Sequence, residues 1–215
     1  MPTISSSVSV RETLGGQADE AVRILRNGGV AAIPTDTVYG LAASYDDEQA
    51  IDRVFSIKSR PSGLAVPLLL DDASSIERYV SDVPDSFWAL AKTFWPGPLT
   101  IVLKKSPLVS DKLTAGRDTV GLRVPDHWLP RYISKSLDKA ITGTSANLSG
   151  SPSLTTAQAV EEQLGEVVDM VIDGGESSGT AASTVVDLSG DTLAILREGS
   201  ITLDDIEKAI RQGSS

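Results

Sequence analysis

The sequence predicts an α/β fold, a single domain with a twisted, mixed β-sheet flanked by helices. Three observations predict it. Helical and strand patterns interleave along the 215 residues, but without the strict alternation of a doubly wound parallel sheet. Three strand patterns then crowd together late in the chain, at 170–173, 184–188 and 193–197. No repeat, low-complexity tract or linker divides the chain, so 16–215 reads as one domain and 1–15 as a flexible lead.

The elements follow in order. Residues 18–27 (ADEAVRILRN) place Ala21, Ile24 and Leu25 on one helical face, and Gly28-Gly29 stops the helix. VAAIP at 30–34 reads as a buried strand and 38–42 as a second. Residues 47–57 form a helix with Ile51, Val54 and Phe55 inward. LAVPLLL at 64–70 is a strand in which Pro67 predicts an edge or a bulge. Helices are expected at 73–80 and 85–94, strands at 99–104 and 120–124, and a helix at 128–137. A strand at 140–144, a helix at 157–164, the three late strands and a helix at 203–211 complete the chain.

Composition narrows the chemistry. Apolar residues make up 40% and charged residues 22%, as in ordinary globular proteins, which argues against wholesale disorder. Cysteine is absent, which excludes disulfides, thiolate catalysis and Cys-ligated zinc. A single histidine, His127, leaves no His-based metal site; it is read as a helix cap without a catalytic role. The N-terminus lacks the charged start and apolar run of a secretory signal, and no stretch reaches membrane-span length, so a cytoplasmic location is expected. The net charge of −10 repels phosphate backbones, so strong direct nucleic-acid binding is not expected.

Against that acidic background, basic residues in polar loops stand out. In PTDTVYGL, Thr35, Asp36 and Thr37 form either a self-satisfied hairpin turn or a binding turn with Tyr39 packed beside it. In KSRP, Lys58 and Arg60 either complement a helix C-terminus or clamp a polyphosphate. WPGPLT reads as a rigid connection in which Trp95 belongs to the core. Arg123 in VGLRVP is either a surface arginine or an anchor for a carboxylate or phosphate. TGTSANLSG offers Thr142, Thr144, Ser145, Asn147 and Ser149 at the end of a strand, where α/β sheets commonly place ligands. The glycine-rich loop at 173–182 leads into STVVD, and REG places Arg197 at the end of the last strand. No nucleophile or titrating pair accompanies these groups. The pattern alone points to a pocket for a nucleotide or polyphosphate.

The order PTDTVYGL, KSRP, WPGPLT, VGLRVP, TSANLSG, STVVD, REG resembles the YrdC-like family, the threonylcarbamoyl-AMP synthases, over residues 18–199. The resemblance implies the sheet described above wrapped around a large, concave, basic cavity. It implies a nucleotidyltransferase that joins L-threonine, bicarbonate or CO₂, and ATP carrying Mg²⁺. The products would be threonylcarbamoyl-AMP and pyrophosphate. A separate transferase complex would then pass the threonylcarbamoyl group to adenosine 37 of tRNA.

By that resemblance, Lys58 and Arg60 are the catalytic cations on the triphosphate and carboxylates. Thr37, Arg123 and Ser183 hold threonine, with Arg123 forking its carboxylate. Ser145, Asn147 and Arg197 join Lys58 and Arg60 on the nucleotide, and the metal is held mainly by ATP phosphates rather than by the protein. The chain resembles the short, single-domain form. It departs from many longer members at GLAVPLLL, which carries no histidine after the KxRP segment. Two rivals remain: a carbamoyl transferase of hydrogenase maturation, expected to be far longer and zinc-bearing, and an RNA-binding module without turnover.

Overall fold

The computed structural model describes residues 4–59, 63–178 and 182–213. The first helix, α1 (Ile4–Arg26), is longer than the expected 18–27 and runs through the segment read as a flexible lead. Leu14, Ala18, Ala21, Val22 and Leu25 keep a helical spacing of buried positions across Gly15 and Gly16. That continuous apolar stripe outweighs a glycine cost of about 1 kcal/mol each.

The strands form two sheets rather than the single sheet expected. The smaller contains β1 (Ala31–Ile33), β2 (Gly40–Ala42), β7 (Thr144–Ser145) and β8 (Met170–Val171), in the order β7-β2-β1-β8. The larger contains β3 (Leu68–Leu69), β4 (Leu99–Lys104), β5 (Thr119–Arg123), β6 (Ile141–Thr142), β9 (Thr184–Asp187) and β10 (Ala194–Arg197), in the order β10-β9-β4-β5-β3-β6. Both mix parallel and antiparallel pairs.

The division falls at Gly143, inside the strand expected at 140–144. A Cβ there would lie 2.8 Å from Leu69 Cδ2, and the Gly143 amide donates to Pro67 O at 2.8 Å. The tight crossing sends β6 to β3 and β7 to β2. Pro67 marks neither an edge nor a bulge. It lacks an N–H, so the ladder begins one residue later, and β3 lies between β5 and β6.

Helices α2 (Glu48–Ile57), α3 (Asp85–Phe94), α5 (Trp128–Leu137), α6 (Ala157–Leu164) and α7 (Leu203–Gly213) match the sequence pattern closely. Their caps explain several boundaries: Asp47 accepts from Gln49 N and Ala50 N, and Thr156 from Ala159 N. The segment expected as a helix at 73–80 is a 3-10 helix, Ala73–Arg78, and a single turn, α4 (Asp111–Thr114), was not foreseen.

Alternation in the larger sheet assigns its two faces. Ile101, Leu103, Val120, Leu122 and Val186 join Phe87 and Leu90 of α3 and Ile206 of α7 in one core cluster. The intervening Thr100, Val102, Thr119, Gly121, Arg123, Val185 and Asp187 turn to the opposite face, where they line a cavity. Two further clusters seat α1 and α5, and α2 and α6, on the remaining strands.

Candidate functional site

The cavity has a volume of about 490 Å³ and is lined by the face of the larger sheet that carries Thr100 and Arg123, together with residues of the β1–β2 turn and the β7 segment. Its walls bring together Thr37, Ser145, Ser183, Arg123 and Arg197, residues that are far apart in sequence. Gly121 opens its floor between Thr100 and Val102, since a Cβ there would lie 3.2 Å from Thr100 Cγ2 and 3.3 Å from Pro67 Cβ.

The turn between β1 and β2 satisfies its own backbone, and Thr35 and Thr37 also line the cavity. Thr35 Oγ1 accepts from Thr37 N at 3.2 Å and donates to Val38 O at 2.7 Å. Tyr39 is fully buried; its hydroxyl donates to Gly175 O at 2.8 Å and accepts from Gly174 N at 3.2 Å. Burial pushes the Tyr39 phenol above its ordinary pKa.

Arg123 comes from the cavity face of β5. Its Nε donates to Gly97 O at 2.9 Å, Nη1 to Thr37 Oγ1 at 3.2 Å, and Nη2 to Asp36 Oδ1 at 2.6 Å. It is therefore a buried, anchored cation rather than a surface arginine. Arg197 reaches Ser183 twice, from Nε to its carbonyl and from Nη2 to its hydroxyl, both at 2.9 Å. Ser183 Oγ also meets Thr100 Oγ1 at 2.8 Å. Loss of water around Arg197 lowers its pKa from the ordinary value, and the nearby Arg123 charge adds to that.

Lys58 stands behind the wall rather than on it. Its ammonium, on a residue 2% exposed, donates to Ser145 O at 2.5 Å, and to Asn147 O and Oδ1 at 2.9 Å each. Ser149 N returns a bond to Lys58 O at 2.8 Å. Asn147, also buried, accepts from Ser145 Oγ at 2.6 Å and donates from Nδ2 to Ser151 O at 2.6 Å. Lys58 and Asn147 thus shape the loop that presents Ser145. Arg60 lies outside the described residues.

Other members of the site escaped the motif reading: Asp36 as the partner of Arg123, and Thr100, Arg117 and Asp187 as cavity lining. The alternation of LTIVLK and TVGLR held the signal for Thr100 and Thr119. His127 caps α5, accepting from Leu129 N at Nδ1. Among the described residues, no group of three or more histidines and carboxylates is gathered to hold a metal ion. No helix among them is long and apolar enough to cross a membrane.

The Sua5/YciO/YrdC family profile, described as "Telomere recombination", matches residues 23–199. The chain is 40% identical over 190 residues to a threonylcarbamoyl-AMP synthase of Pyrococcus abyssi, covering 88% of this chain and 56% of that protein. A Bacillus subtilis protein of the same name is 37% identical over 195 residues, covering 90% and 56%. The chain thus spans little more than half the length of these two relatives, whereas it covers 97% of a Vibrio vulnificus threonylcarbamoyl-AMP synthase at 35% identity and 84% of this chain. Among solved structures, P. abyssi Sua5 complexed with L-threonine superposes with a TM-score of 0.87 at 39% identity, over 90% of this chain and 57% of that one. Escherichia coli YciO does so with 0.80 at 31%, over 88% and 92%.

Proposed function

The chain belongs to the Sua5/YciO/YrdC family, and on that premise we propose that it is a threonylcarbamoyl-AMP synthase. It joins L-threonine, bicarbonate or CO₂, and ATP. The observation that carries the reading is the gathering of Thr37, Arg123, Ser145, Ser183 and Arg197 on one cavity. Its volume, about 490 Å³, falls within the roughly 300–1,000 Å³ common for small-molecule sites.

The chemistry explains why no protein nucleophile is needed. The threonine amine forms a C–N bond to CO₂ and loses a proton, giving a carbamate. A carbamate oxygen then attacks the α-phosphorus of ATP, and the bond to pyrophosphate breaks. The reactants are anionic and repel one another, so the protein's task is to hold them together in line. Arg123 takes the threonine carboxylate, with Thr37 and Ser183 beside it. Arg197 and Ser145 serve the nucleotide phosphates, a role that the motif resemblance also gives Arg60. Lys58 and Asn147 set the Ser145 loop. Hydroxyls and guanidinium groups suit phosphate oxygens, and Mg²⁺ enters as part of the nucleotide substrate. The adenylate product is handed to a transferase complex that modifies adenosine 37 of tRNA, in the cytoplasm.

Pyrophosphate release tests this directly. Release that requires ATP, Mg²⁺, L-threonine and bicarbonate together, with an adenylate of the expected mass, supports the reading. No release from the folded chain under any combination overturns it.

A further inference from the structure

Arg123 is committed on three sides, to Gly97 O, Thr37 Oγ1 and Asp36 Oδ1. A guanidinium carries five N–H donors, so one hydrogen remains on each terminal nitrogen. Two N–H groups are what a bidentate carboxylate contact requires. The Asp36 contact is the short one, 2.6 Å, between side chains only 8% and 12% exposed. An ion pair so far from water is stiff as well as strong.

The turn that carries Asp36 is itself fixed. Ser178 Oγ donates to the Asp36 carbonyl, Ser177 Oγ donates to Thr35 O at 2.9 Å, and Thr35 Oγ1 holds the Thr37 amide. The anchor is therefore tied to the backbone, and the guanidinium cannot rotate without breaking it.

We infer that Asp36 is a positioning residue for the amino-acid substrate: its grip on one edge of Arg123 turns the two remaining N–H groups into the fork that receives the threonine carboxylate. The inference rests on the synthase reading and adds what sets the carboxylate's place. Charge and geometry make opposite predictions here. Arg197 is close enough to Arg123 for its own pKa to be lowered by it, so neutralising Asp36 would leave Arg123 without its counter-charge beside a second cation. If charge decided the outcome, Asp36→Asn would tighten every anion. If positioning decides it, Asp36→Asn weakens threonine alone.

Calorimetry of L-threonine binding to the wild type, Asp36→Asn and Asp36→Glu decides between them, alongside kcat and the ATP KM from pyrophosphate release. The expected result is threonine affinity about tenfold weaker in both variants, since Asn keeps an acceptor without the ionic grip and Glu shifts the carboxylate off the edge of Arg123. The ATP KM stays at or below the wild-type value, and kcat at saturating threonine is largely retained. Unchanged or tighter threonine binding overturns the inference. So does a collapse of kcat with threonine affinity intact, which would make Asp36 a proton acceptor. Equal loss of threonine and ATP binding in both variants also overturns it, as general damage to the site. A wild type that binds no threonine overturns the synthase reading itself, and this inference with it.

Discussion

Lys58 and Asn147 are joined twice, the ammonium lying 2.9 Å from both the carbonyl oxygen and Oδ1 of Asn147. Ser145 O shares the same ammonium. A point charge with three rotating donors suits acceptors converging from one loop, which a planar guanidinium does not. Lys58→Met should leave these oxygens buried and lose on the order of 2 kcal/mol of unfolding free energy. Lys58→Arg should not restore it. Urea unfolding with both variants checks this; a midpoint unchanged in Lys58→Met would show that the ammonium does not hold the loop.

Gly121 should be intolerant for a reason of space. It faces the cavity from the middle of β5, paired with Val102, and a Cβ already meets Thr100 and Pro67 within 3.3 Å. Gly121→Val would place two methyl groups over the cavity floor. Threonine and ATP affinities should both fall at least tenfold, since the lost volume is shared. Calorimetry on the folded variant is the check, and wild-type affinities would show that the floor is not used.

How much of this was visible in the sequence depends on which forces act locally. Strands β4, β5 and β9 and helices α3, α5 and α6 lay open because their apolar periods are local, as are the His127 and Thr156 caps of α5 and α6. The start of α1 was hidden because residues 1–15 read as a flexible lead, whereas burial of Leu14 and Ala18 carries the helix across Gly15 and Gly16. The division into two sheets was hidden because it depends on Leu69 crowding Gly143, a contact between distant segments. For the site, the motifs named Thr37, Arg123, Ser145, Ser183 and Arg197, which do share one cavity. They could not tell a cavity wall from its support. The Lys58 ammonium meets Ser145 O and Asn147, which ties it to the Ser145 loop, and Asp36 gained its place only from the approach of Arg123.

Arg197 and Ser183 should act as a unit. Nη2 holds the Ser183 hydroxyl, and that oxygen also meets Thr100. Arg197→Ala removes a cation from the cavity and leaves Ser183 Oγ only its Thr100 contact. A cost of about 2.7–4 kcal/mol in barrier is expected, roughly 10²–10³-fold in kcat. Arg197→Lys keeps the charge but cannot span both Ser183 oxygens, so it should recover only part of the loss. A double variant with Ser183→Ala should be no slower than Arg197→Ala alone. Steady-state pyrophosphate release measures all three, and a full additive loss would show that the two side chains act separately.

His127 should make stability depend on pH. Its Nδ1 accepts from Leu129 N at 3.2 Å, so the cap requires a neutral ring. Burial holds its pKa below the ordinary value despite the opposing charges of Asp36 and Asp126. The unfolded chain therefore binds a proton that the folded chain refuses. The contribution is fully present above about pH 6.5, the unfolded value, and is lost as pH falls from there toward the folded pKa. His127→Asn keeps a capping acceptor that does not titrate. Because the chain has a single histidine, the difference between wild type and variant isolates this group from the carboxylates. Unfolding free energy measured between pH 7.5 and pH 5 should fall more steeply in the wild type than in His127→Asn; parallel curves would show that the ring takes up its proton as readily in the folded chain as in the unfolded one.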